Sequence, residues 1–153
     1  AWPIASLSID RITRALGLFT VNWTESAFRV LYWLTFGAFY ILMIWFVAPT
    51  FDKSYTILAL IICALMILTP TNQRMAWLVF VAGSALGYFL ERWGTTRECW
   101  IYYTGEAPPA FAVFAHGMAA VAFWRTGLLV DMVATPLLKK FFPEHNRPHD
   151  SLS

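Results

Sequence analysis

The chain has 153 residues, of which 59% are hydrophobic, 18% aromatic and only 13% charged. A soluble domain carries about 25% charge and about 45–50% apolar residues, so a water-soluble monomer and a disordered chain are both excluded. The net charge of +2 forms no basic stripe and gives no footprint for nucleic acid. What remains is an all-α, polytopic membrane protein, and at about 20 residues per crossing the length accommodates four transmembrane helices.

The chain begins at Ala1 rather than Met, so residues upstream of it are expected. Its first segment does not read as a secretion signal, because Asp10, Arg11 and Arg14 interrupt any apolar stretch. Residues 4–20 instead predict an amphipathic helix. Ile4, Leu7, Ile12, Leu16 and Phe19 recur at helical spacing against Asp10, Arg11, Thr13 and Arg14. Such a helix lies in the headgroup plane or packs on a partner's surface. Asn22-Trp23-Thr24-Glu25 breaks the chain, and Asn22 or Thr24 is placed to cap the next helix. The same triplet matches a glycosylation sequon, which capping outweighs here.

The first span is expected over 30–48, closed by Pro49, and is rich in aromatics: Tyr32, Trp33, Phe36, Phe39, Tyr40, Trp45 and Phe46. Rings near its ends suit the membrane–water belt. Rings in its middle require lipid, partner helices or a flat ligand. The second span, 55–68, is aliphatic and stops at Thr69-Pro70-Thr71-Asn72. The third, 75–90, carries Gly83-x-x-x-Gly87, a spacing that lets two helix backbones approach closely. A polar connector, 91–109, leads to a fourth span over 109–125. Residues 126–142 predict a C-terminal interfacial helix, and 143–153 a polar, disordered tail. The expected organisation is thus a single transmembrane domain over 1–142 with N- and C-terminal interfacial helices. Cys63 and Cys99 have no metal-ligand spacing and predict no disulfide.

With four spans, one side of the membrane holds Arg11, Arg14, Arg29, Arg74, Arg125, Lys139, Lys140 and Arg147, and the other Lys53, Arg92 and Arg97. That bias predicts cytoplasmic N- and C-termini, and a bacterial inner membrane is the expected location.

Two places carry candidate chemistry. His116 lies inside the fourth span, where an ionisable side chain is a functional hypothesis by default. Ala112 and Ala120 sit one turn either side of it, with Gly117 adjacent, leaving a flat patch beside the ring for a planar macrocycle. Trp124 follows later in the span. Over residues 110–124, Ala112-x-x-x-His116 with the later tryptophan resembles the pigment-binding segment of bacterial light-harvesting polypeptides. That resemblance implies bacteriochlorophyll as cofactor, with His116 as axial ligand to its magnesium and Ala112, Gly117, Ala120 and Trp124 around the ring. Those polypeptides have one span, and the rest of this chain departs from them. The plainer expectation for His116 is a hydrogen bond to a neighbouring helix or to Glu91.

The second place is the connector, with Glu91-x-x-Gly94, Trp100-x-Tyr102 and Pro108-Pro109. Residues 87–124 resemble membrane carotenoid hydratase and cyclase-like families, which carry a span-end Glu, a Gly, aromatics and Pro ahead of the next span. Those proteins generally have more spans. The resemblance implies a carotenoid or other lipid substrate and Glu91 as the acid that protonates a polyene. The plainer expectation is that Glu91 pairs with Arg92 or Arg97 and only orders the loop. No nucleophile triad, phosphate loop or metal-ligand cluster is readable from the spacing.

Two functions follow as expectations. The leading one is an accessory subunit of a larger membrane complex, a photosynthetic reaction-centre–light-harvesting assembly, that docks neighbouring subunits and lipids and holds pigments, bacteriochlorophyll and carotenoid among them. The alternative is a small integral-membrane enzyme of carotenoid or lipid metabolism that uses Glu91.

Overall fold

The computed structural model describes residues 2–69, 71–105 and 107–141. Among them there is no strand: the chain is all-helical, with five α-helices. They are α1 (Trp2–Phe19), α2 (Glu25–Val47), α3 (Ser54–Leu68), α4 (Gln73–Thr96) and α5 (Ala110–Phe141), with a single 3₁₀ turn, Ala48–Thr50, after α2. The chain divides into two compact units, residues 1–122 and 123–153.

In the first unit, helix starts follow from side chains that satisfy orphan N–H groups. Thr24 Oγ1 accepts from Ala27 N at 3.2 Å and opens α2. Asn72 Oδ1 accepts from Met75 N at 2.9 Å and opens α4, so the Thr-Pro-Thr-Asn stop is also a start signal. The core is an aromatic stripe on one side of α2. Phe28, Tyr32, Phe36 and Phe39, three or four residues apart, are all buried. Phe36 and Phe39 pack against Phe80 of α4, and Phe28 meets Trp77. Hydrogen bonds tie the same helix to its neighbours: Tyr32 Oη donates to Ile67 O at 2.8 Å, Tyr40 Oη to Leu60 O at 3.2 Å, and Trp77 Nε1 to Thr35 Oγ1 at 3.1 Å. The mid-span aromatics of α2 therefore hold partner helices; Trp33 and Trp45 point outward.

Helix α1 packs along α4. At its end Arg74 donates to Thr20 O at 3.4 Å, sits 3.6 Å from Glu25 and lies over the Phe28 ring. The inward side of α1 carries Ala5, Ser8, Ile9, Ile12, Thr13 and Leu16, whereas Ile4, Leu7, Leu18 and Phe19 face outward.

Two helices are long and apolar enough to cross a membrane, residues 25–50 with mean hydropathy 2.0 and 110–135 with 1.4. Only 17% and 28% of their apolar windows are buried within the protein, unlike the core helix of a soluble domain. Four crossings were expected. Helix α3 has 15 residues, roughly 22 Å at 1.5 Å per residue against a hydrocarbon core of about 30 Å. Helix α4 is long enough, but it runs on through Glu91 and Arg92. The expected break at residue 90 is thus absent, and the connector begins at Arg97. The fourth expected span and the interfacial helix after it are one element, α5.

In the second unit, residues 123–141 are helical, and side chains 126–133 are exposed. The expected tail, 143–153, lies outside the described residues.

Candidate functional site

One face of α4 carries Gly83, Gly87, Glu91 and Gly94, spaced by four, four and three residues. Its upper part receives α5. A Cβ on Gly83 would stand 2.6 Å from Ala120 Cβ and 3.0 Å from Gly117 Cα, and one on Gly87 would stand 2.5 Å from His116 Cβ. A Cβ on Gly117 would in turn meet Ser84 and the Phe80 carbonyl. The Gly-x-x-x-Gly of the sequence is therefore a close-packed seam between α4 and the start of α5. Gly117 and Ala120, expected to flank a macrocycle, are taken up by this seam. Ala112 is buried as well.

The seam brings His116 beside Glu91, with His116 Nδ1 3.8 Å from Glu91 Oε1. The same nitrogen lies 2.9 Å from Ala112 O, one turn back on its own helix. Glu91 is 4% exposed and is held from the loop side. Trp100 Nε1 donates to Oε2 at 2.9 Å, and Tyr102 Oη donates to the same oxygen at 3.0 Å. Residues 100–102 are neither helix nor strand, and the side chains of Trp100 and Tyr102, two residues apart, both reach the carboxylate. Gly94, one turn past Glu91, makes room: any Cβ there would overlap the Trp100 ring. Backbone bonds fix the corner, with Cys99 N donating to Gly94 O at 2.9 Å.

The loop is fastened at both ends. Arg92 Nη1 donates to Ala107 O at 2.9 Å. Tyr103 Oη donates to Phe46 O at 2.8 Å, its ring stacks on Phe46, and Tyr102 meets Phe111 edge-on. Burial and then the Glu91 carboxylate push the Tyr102 phenol up to about 12. It stays a protonated donor at neutral pH.

The candidates of the sequence thus separate. Glu91 and His116 come together, and Ala112 supplies the carbonyl that holds the imidazole. Trp124 belongs to the second unit. The expected Glu91–Arg92 pair does not form, since Arg92 is turned to the loop backbone. Trp100, Tyr102 and Gly94 were visible as a pattern but without a role; a carboxylate one turn from a glycine, followed by Trp-x-Tyr, was the signal. Among the described residues no group of three His, Cys, Asp or Glu side chains is placed to hold a metal ion. Cys63 and Cys99 are free thiols.

No protein-family model matches this chain, and no curated protein or solved structure matches it either.

Proposed function

We propose that the protein is a small integral-membrane enzyme that acts on a carotenoid or another lipid-soluble substrate by proton transfer, with Glu91 as its essential carboxyl group. The observation that carries this reading is the buried Glu91 carboxylate. Two donors hold Oε2, and Oε1 faces an imidazole. Desolvating a carboxylate costs on the order of several kcal/mol, and docking helices together has no use for one. A buried acid beside a base, set by an ordered loop, suits acid–base chemistry. The apolar helix α5, which sets His116 beside it, suits a substrate drawn from the bilayer.

The test is the lipid and carotenoid profile of host membranes. Cells with the native chain should convert a precursor that accumulates with Glu91→Gln; identical profiles would reject the enzyme.

A second reading, an accessory subunit of a photosynthetic complex, draws support from the many large apolar side chains that face outward. Trp33, Ile41 and Trp45 on α2 and Leu58, Ile61 and Leu65 on α3 are examples. It predicts reaction-centre or antenna subunits, with bacteriochlorophyll, in the protein purified from its native membrane; migration alone would count against it.

A further inference from the structure

The Glu91 side chain is closed off, 5% exposed, whereas that of His116 is 40% exposed. Of the two groups only the imidazole offers an open edge. Its Nδ1 lies against Ala112 O, and a carbonyl oxygen can only accept. The proton of the neutral ring therefore sits on Nδ1, which leaves the Nε2 lone pair free. Glu91 Oε1 stands on the Nδ1 side, where a carboxylate stabilises the cation formed when Nε2 takes up a proton. Trp100 and Tyr102 keep Oε2 occupied, so the carboxylate cannot swing away from the ring.

We infer that His116 Nε2 is the atom that exchanges a proton with the substrate, and that Glu91 is a positioning residue acting through the imidazole. This rests on the proton-transfer reading above. The substrate is lipid-soluble and bears an O–H or an activated C–H, because His116 lies on an apolar stretch long enough to cross a membrane, residues 110–135. Nε2 accepts that proton into its lone pair, and the bonding electrons stay on the substrate. The same proton returns to a different atom of the substrate before release, so the product is an isomer and neither oxidant nor second reagent is consumed.

Nitrogen-15 NMR of histidine-labelled protein in lipid nanodiscs reads the tautomer directly, with His116→Gln assigning the signal. A neutral His116 carrying its proton on Nδ1 is expected; a proton on Nε2 overturns the inference. Diethyl pyrocarbonate should acylate His116 in the folded protein, and failure to react also counts against it. In the lipid assay His116→Gln should lower turnover about 100-fold with little change in KM. Product lost in Glu91→Gln but undiminished in His116→Gln overturns this inference and leaves the enzyme reading standing. Unchanged product in both variants overturns the enzyme reading and the inference with it.

Discussion

At the scale of single residues, the site is organised by what surrounds one carboxylate. Tyr102 reports on it from outside the spans. Its phenol stands at about 12 against an ordinary 10.0, by burial first and the Glu91 charge after. The folded state therefore holds this proton more tightly than the unfolded chain does. Its contribution to stability is complete below pH 10 and is lost as pH rises from about 10 to about 12. Ultraviolet titration, with Tyr102→Phe to assign the late phase, should show one tyrosine ionising near 12. Glu91→Gln should move that phase down, because the carboxylate both repels the phenolate and accepts the phenol's hydrogen bond. A phase indifferent to Glu91 would mean that the two groups do not meet.

At the scale of elements, the seam between α4 and α5 decides whether the site exists. Gly83→Leu would drive a side chain into Ala120 and the backbone at Gly117. It should destabilise by about 1–3 kcal/mol or more and draw His116 away from Glu91. Gly37→Ala is the control, since nothing lies within 4 Å of a Cβ there, and it should be neutral or slightly stabilising. Thermal unfolding in detergent separates them; equal midpoints would deny the seam. This seam was legible in the sequence as Gly83-x-x-x-Gly87, and the cap at Thr24 and the aromatic richness of α2 were legible too. The course of α4 through Glu91 was not. A charged pair at the end of an apolar run reads as an exit from the membrane, whereas the helix continues because its inner face stays buried through Gly94 and Thr95. Nor was the seating of α1 on α4, because an apolar stripe does not say whether lipid or a helix of the same chain covers it, and of that stripe Ile12 and Leu16 are half-buried while Ile4, Leu7 and Phe19 face outward. The charge bias and the resemblances pointed to a side of the membrane and to pigments, and those depend on surroundings that no single chain encodes.

At the scale of the whole molecule, a helical frame with two helices long and apolar enough to cross a membrane carries one well-built polar site. Most of its apolar surface is turned outward, so the protein core is thin and rests on α2, α4 and the start of α5. The polar site is what this frame positions. Its central claim is that Glu91 and His116 act as one unit. Groups that work together lose their effect together, so variants are strongly non-additive. The direct measurement is lipid turnover by Glu91→Gln, His116→Gln and the double variant in the same membranes. The account predicts that the double variant is no slower than His116→Gln alone. Losses that multiply, or a double variant as active as the native chain, would contradict it.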